Sequence, residues 1–261
     1  MAEKLTPLSR PEVEALLGVP FDALPRHIAI IPDGNGRWAR AKGMVRIMGH
    51  KEGINSVRNV VREARRLGIS YLTLYAFSTE NWKRPADEVE ALWQLLRTYV
   101  QVELPELKEN GVRLLVIGDI VRIPRDTRLA IRYAMEQTAS NTDLVLTIAL
   151  SYSGRQEILS AVRRFAEDVR DGIMNPDRID EEMFSSYLQT AGTPDPDLMI
   201  RSSGELRISN YLLWQLAYGE IWVTPTLWPD FSVETLHQAL RDYANRERRF
   251  GQTGDQLAED K

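Results

Sequence analysis

The sequence predicts an α/β fold: a single domain with a central, mainly parallel six-stranded sheet flanked by helices. Three observations predict it. Short β-rich runs alternate with amphipathic helical stretches, the pattern of crossover units on a parallel sheet. Gly or Pro punctuates nearly every junction between them. No internal repeat, low-complexity tract or break in composition marks a second domain. With 261 residues, 43% hydrophobic and 27% charged, the chain can bury a sizeable core without disulfides or metals.

In chain order, residues 1–24 form a polar lead-in with a short helical pattern around Glu12–Leu17, closed by Gly18 and Pro20. It is expected to be a mobile arm ahead of a domain spanning 25–251, with 252–261 as a flexible tail. The expected strands are His27–Ile31, Tyr71–Phe77, Val112–Ile117, Leu144–Leu150, Leu198–Arg201 and Glu220–Val223. Each is a short apolar run, rich in β-branched or aromatic residues. The expected helices are Lys51–Leu67, Pro85–Asn110, Arg125–Ala139, Arg155–Asp171, Glu181–Gln189, Asn210–Ala217 and Val233–Arg248. Gly68 and Gly111 end the first two. In the second, Val89, Leu92, Trp93, Leu96, Tyr99 and Val100 repeat at helical spacing, and Leu95 and Val102 widen the stripe. Such breadth fits a helix buried on two sides or one wall of an apolar cavity, ordinary core packing being the reading the spacing favours, and Pro105 is expected to bend its far end.

Several function classes are excluded at once. The chain has no cysteine, hence no disulfide, no thiolate nucleophile and no cysteine-bound zinc. His27, His50 and His237 lack metal-ligand spacing. No apolar run approaches the roughly 18 residues of a membrane span, and the polar N-terminus does not read as a secretory signal; a cytoplasmic protein is expected. A net charge of −4 argues against nucleic acid as a partner, as does a basic stretch without interleaved aromatics. Yet positions 33–66 carry nine Lys or Arg against three Asp or Glu. That local excess suits an anionic ligand held in one place.

Three strand ends carry the candidate chemistry. After the first strand comes Pro32-Asp33-Gly34-Asn35-Gly36-Arg37-Trp38, where ligands of such sheets bind. The glycines let backbone N–H groups approach an anion, Asp33 offers a hard oxygen to Mg²⁺, and Arg37 can grip phosphate oxygens. By themselves these residues fit a plain turn equally well. Arg40, Lys42, Arg46, His50 and Lys51 follow, leading into the next helix, and shift the balance towards an anion site. After the second strand, Ser78-Thr79-Glu80-Asn81-Trp82-Lys83-Arg84 supplies a hydroxyl, an amide, a guanidinium and a flat apolar wall. After the fifth, Arg201, Arg207 and Ser209 make a second anion site, with Ile208 between them. Glu220, at the start of an apolar strand, is costly there unless paired, metal-bound or left at an exposed edge.

Together with Trp228-Pro229-Asp230-Phe231, these blocks occur in an order that resembles the cis-prenyltransferase family over about residues 25–251. The resemblance implies an apolar tunnel beside the sheet and elongation of an allylic diphosphate, farnesyl diphosphate for preference, by isopentenyl diphosphate. Overall likeness suggests an undecaprenyl diphosphate product, the lipid carrier of cell walls. It gives Asp33 as the essential metal-linked carboxylate, with Gly34, Asn35, Gly36, Arg37, Arg46 and His50 around the allylic diphosphate and Trp38 beside it. Arg201, Arg207 and Ser209 fall to the isopentenyl diphosphate, Glu220 to the metal as a second carboxylate, and Ser78, Asn81, Trp82 and Arg84 between the two substrates. The family often gives Asn81 the role of base, but a neutral amide suits orientation better, a phosphate oxygen taking the proton. Arg249-Phe250-Gly251 matches a motif that reaches into the partner's site of a homodimer, and a lipid product would bring peripheral membrane contact at the inner face.

Two departures stand out. Pro32 replaces the usual Met, removing an N–H that could have met phosphate. Ser151-Tyr152-Ser153-Gly154-Arg155 stands where Asn-Tyr-Gly-Gly-Arg is commoner. The rival reading is a non-catalytic partner subunit of the same fold, which Asp33 and both arginine sites disfavour.

Overall fold

In the computed structural model, which describes residues 4–247, six strands form one sheet in the order β3-β4-β2-β1-β5-β6, every neighbouring pair parallel. They are β1 (His27–Ile31), β2 (Tyr71–Ser78), β3 (Val112–Ile117), β4 (Leu144–Tyr152), β5 (Leu198–Arg201) and β6 (Glu220–Val223). Helices cover both faces, so a central strand has no polar side. All five residues of β1 are buried. Ile28 and Ile30 point into one apolar cluster, Ala29 and Ile31 into the other, the alternation that a pleated strand imposes.

The chain winds from β1 towards β3 on one side and returns to add β5 and β6 on the other. The reversal leaves a crevice beyond the carboxyl ends of β1 and β5, the usual ligand position of an open parallel sheet. Two long helices, α3 (Arg46–Arg66) and α4 (Ala86–Glu109), lie over the β1–β2–β4 face. Helix α4 runs on through Pro105. Helices α5 (Arg125–Gln137), α6 (Gly154–Arg170), α7 (Glu181–Ser186) and α8 (Val233–Ala244) complete the layers.

Three sequence expectations give way. Within the described residues the lead-in is not a mobile arm: α1 (Arg10–Leu17) buries Val13 and Leu17 in the main core. Its Ser9–Glu12 capping box fixes the start, and Gly18 in left-handed conformation stops it. The segment after Gly34 is a helix, α2 (Asn35–Ala41), and the next helix starts at Arg46 instead of Lys51. Residues 210–217 form turns, not a helix. Ser209, Asn210 and Leu212 have φ of 50°, 60° and 43°, a left-handed region that no α-helix can contain. Asn210 instead secures the start of α6: its carbonyl accepts from Gly154 N–H and its Oδ1 from Arg155 N–H.

Candidate active site

The carboxyl edge of β1 is built around Asp33. Gly34 has φ of +104°, and a Cβ there would lie 2.9 Å from Leu227 and 3.0 Å from Ser203, so only glycine fits. The turn lets Gly34 N–H donate to Asp33 Oδ1 at 2.7 Å and launches α2. Ser202 holds the neighbouring strand end in place: Asp33 N–H donates to its Oγ at 2.8 Å, and that hydroxyl donates to Asp33 carbonyl at 2.7 Å.

Arg201 reaches across from β5 with only 3% of its surface exposed. Its Nη2 donates to Asp33 Oδ2 at 2.8 Å and its Nη1 to Ser209 Oγ at 2.7 Å; the Arg207 carbonyl accepts as well. Arg37 Nη2 stands 3.6 Å from the same Asp33 oxygen. Burial opposes the charge on Asp33, but the hydrogen bond and charge of Arg201, the Gly34 N–H and the Arg37 charge outweigh it and hold the carboxyl below its usual range. Asp33 is therefore ionised at neutral pH. Arg37 also donates to the Ser203 carbonyl and hydroxyl, at 3.2 and 2.5 Å. Glu205 bridges Arg37, at 3.2 Å, and Arg207. The two expected anion sites are thus one cluster, joined through Asp33–Arg201.

The rest of the first block packs tightly behind it. Gly49 and Gly53, one turn apart on α3, let that helix lie against Asn35: Cβ atoms there would fall 2.0 Å from the Asn35 carbonyl and 2.3 Å from its Oδ1. Gly36 makes room for Arg46. Trp38 is buried, donating its Nε1 to Asp230 at 2.8 Å, with Lys42 over its ring at 3.9 Å. His50 is held down to about 4 by burial and by the positive charges of Arg84 and Arg46. At pH 7 its imidazole is neutral. His50 Nε2, Asn35 Oδ1 and Arg201 Nε are buried without a hydrogen-bond partner, the condition of polar groups that await a ligand or water.

The second block caps a short 3₁₀ turn, Thr79–Lys83. Asn81 Oδ1 accepts from Ser78 N–H at 3.1 Å, and Glu80 accepts from Asn210 at 3.1 Å, tying this loop to the β5 loop. Thr79 contacts Glu80. Trp82 donates to Ser151 Oγ at 2.9 Å and packs with Phe77 and Trp93. Ile208 packs at the edge of the second apolar cluster. Arg84 and Arg46 share one carboxylate, Glu88, at 3.2 and 3.3 Å.

Glu220 is the exception. It pairs with Leu198 at the amino end of β5, whereas Asp33 lies past the carboxyl end of β1. Three residues of strand, about 10 Å, separate it from the site's edge, and it is ion-paired to Arg246 at 2.7 Å. Within one chain the two carboxylates do not share an ion. No group of three or more His, Asp or Glu fit to hold a metal occurs among the described residues. A single carboxylate such as Asp33 would fit a divalent ion held mostly by substrate phosphates and water.

Sequence reasoning missed Ser202, Ser203, Glu205, Glu88 and Asp230, which orient the arginines, Asp33 and Trp38. Ser202, Ser203 and Asp230 meet partners distant in sequence, and Glu88 and Glu205 each add a distant arginine to a near one, Arg46 beside Arg84 and Arg37 beside Arg207, so no local pattern marks the shared contacts. The Gly-x-x-x-Gly spacing of Gly49 and Gly53 was a usable signal for close helix contact. Arg249-Phe250-Gly251 lies outside the described residues.

Next to Pro32, Asn35 and His50 opens a cavity of about 190 Å³ between α3, α4 and the sheet. Its walls are mainly apolar, among them Ile54, Val57, Leu74, Leu92, Leu96 and Ile148. Of the two sequence readings of α4, a cavity wall is therefore the observed one. The site can hold phosphate oxygens at its mouth and a hydrocarbon behind them.

Comparison with known proteins agrees with this geometry. Residues 31–251 match the family model described as putative undecaprenyl diphosphate synthase. The isoprenyl transferase of Clostridium perfringens is 54% identical, covering 88% of this chain and 91% of that protein. That of Heliobacterium mobile is 56% identical over 87% and 88%. Among solved structures, lavandulyl diphosphate synthase from Lavandula x intermedia, in complex with dimethylallyl diphosphate, superimposes with a TM-score of 0.86 at 37% identity, over 88% of this chain and all of that one. A probable undecaprenyl diphosphate synthase from Campylobacter jejuni gives 0.73 at 32% identity, over 87% and 99%. The chain is an enzyme that transfers prenyl groups, and it belongs to the undecaprenyl diphosphate synthase family of isoprenyl transferases.

Proposed function

We propose that the protein condenses isopentenyl diphosphate repeatedly onto an allylic diphosphate, farnesyl diphosphate for preference, with cis geometry, to give a long polyprenyl diphosphate such as undecaprenyl diphosphate. The observation that carries this reading is the Asp33–Arg201 contact, which joins two arginine clusters at the mouth of an apolar cavity. Arg37, Arg46 and the Asn35–Gly36 backbone face the allylic diphosphate; Arg201, Arg207 and Ser209 face the second substrate. Mg²⁺ bound by Asp33 and the diphosphates would neutralise charge on the leaving group.

As the allylic C–O bond breaks, its electron pair leaves with the diphosphate, and the arginines stabilise that charge. The alkene π pair of isopentenyl diphosphate forms the new C–C bond, which demands close positioning more than acid or base strength. A proton then leaves the new chain for a diphosphate oxygen, with Asn81 orienting the substrate. Neutral His50 can donate a hydrogen bond to phosphate without adding charge.

Exposed apolar residues on α5 (Leu129, Tyr133) and α6 (Leu159, Val162) support a homodimer, which sedimentation would detect. No described helix is long and apolar enough to cross a membrane; the lipid product favours peripheral contact from the cytoplasmic side.

The test incubates the protein with farnesyl diphosphate, labelled isopentenyl diphosphate and Mg²⁺ and sizes the products. Elongation is expected, and Asp33→Ala is expected to abolish it. Elongation that survives Asp33→Ala would falsify the reading. Asn81→Asp restores no extra rate if Asn81 only orients.

A further inference from the structure

The cavity wall is apolar except at its mouth and in one band, where Arg58 and Glu103 line it together with Glu106. This band lies about 12 Å along α3 from His50, eight residues at helical rise. Both Arg58 Nε and Nη2 donate to Glu103 Oε1, at 3.0 and 2.6 Å, while Arg58 Nη1 donates to Asn55 at 3.1 Å. Glu103 is only 7% exposed. One turn further, Arg62 grips Glu106 bidentately at 2.5 and 2.8 Å. Arg65 then donates to the Asn110 carbonyl at 2.8 Å. Three successive rungs therefore clamp the far halves of α3 and α4, while the cavity opens between their near halves, whose first turns Arg46–Glu88 bridges at 3.3 Å.

A hydrophobic wall needs no such charges, because apolar side chains would seal the same seam at no desolvation cost. What an ion pair adds is resistance to parting. Separating Arg58 from Glu103 would strand the buried Glu103 charge against hydrocarbon, whereas two apolar side chains can slide apart as a lipid fills the gap.

Resting on the elongation reading above, we propose that Arg58–Glu103 is a latch that fixes the α3–α4 seam and thereby sets product length. The hydrocarbon grows from the mouth along Leu92, Leu96 and Val57. The latched seam bars it from wedging between the helices and turns it towards Leu107, Leu114 and Leu146. When that space is filled, elongation stops. Arg58 and Glu103 touch neither diphosphate, so they act on specificity as positioning residues.

The experiment sizes the products that the full-length enzyme and two variants make from farnesyl diphosphate, labelled isopentenyl diphosphate and Mg²⁺. Arg58→Met/Glu103→Leu removes both charges at similar volume and strands neither. Glu103→Gln keeps the shape and weakens the pair, and it decides the matter if the double variant does not fold. Both are expected to lengthen the main product by at least one isoprene unit, with the first condensation within about twofold of the parent rate. Unchanged product length in a folded variant overturns the proposal, whatever the rate. An unmodified enzyme that elongates nothing overturns the elongation reading instead, so the two failures are distinguishable.

Discussion

The mouth of the cavity and its far wall use the same chemistry, arginine against carboxylate, in two different states. At the mouth the contacts are shared and incomplete. Glu88 serves Arg46 and Arg84, Glu205 serves Arg37 and Arg207, and Asp33 serves Arg201 and Arg37. Buried atoms of Arg201, His50 and Asn35 lack any partner. At the far wall Arg58 and Arg62 each have an acidic partner of their own, Arg62 bidentately so. An arginine cluster poised for ligand oxygens keeps buried donors in reserve, and one that holds helices together directs its donors onto fixed partners.

The largest effect that tests this contrast is at the mouth. Arg201→Ala is expected to lower kcat/KM by a factor on the order of 10³, because it removes a contact to the second substrate and the buried partner that orients Asp33. A loss below tenfold in steady-state assays would place Arg201 among the structural arginines. At the far wall, Glu103→Ala is expected to cost about 2 kcal/mol of stability by removing the acceptor of two charge-assisted hydrogen bonds from Arg58. Urea unfolding measures it, and a change near zero would show that the pair is replaceable without loss. Comparable in size is Gly34→Ala at the mouth, which forces a Cβ onto Leu227 at a φ that side chains rarely adopt; a loss of about 2 kcal/mol together with activity is expected.

The smallest effect is a pH dependence. His50 is depressed from 6.5 to about 4, so between those values the unfolded chain binds more protons and stability rises with pH. Its contribution is full above pH 6.5 and is lost as pH falls towards 4. After discounting for its partial exposure, His50→Gln should flatten the curve by about 1 kcal/mol at pH 5. His27, also held to about 4, by burial against its hydrogen bond to the Pro194 carbonyl, keeps the remaining slope. An unaltered slope in His50→Gln would mean that its ring is solvated.

Much of the fold was legible because a parallel sheet buries its strands on both faces, so β1 reads as an unbroken apolar run. The expected strand starts coincide with those observed, and only β2 and β4 extend further, by one and two residues. Segments whose conformation depends on distant partners were not legible. The polar pattern of α1 conceals Val13 and Leu17, whose burial needs the core formed with α8. The apolar spacing of residues 210–217 suggests a helix, yet Asn210 bonds to α6 and the backbone follows it. The same holds for the site: Asp33 and its glycines stand out locally, whereas the second arginine that Glu205 and Glu88 each hold, Arg37 and Arg46, comes from another element. Glu220 erred the other way, because its strand was foreseen but not its register, which sets it at the opposite edge.

The sequence by itself determined the class of sheet, the strand ends that carry chemistry and, through the blocks from Asp33 to Trp228, the family. Local physics suffices there, since apolar runs, glycine turns and residue types act over a few positions. Only the tertiary structure decided that two arginine sites are one, that α4 walls a cavity and that Arg58 meets Glu103. Those facts depend on which side chains from separate elements share a low-dielectric space, and that is fixed by helix packing and strand register.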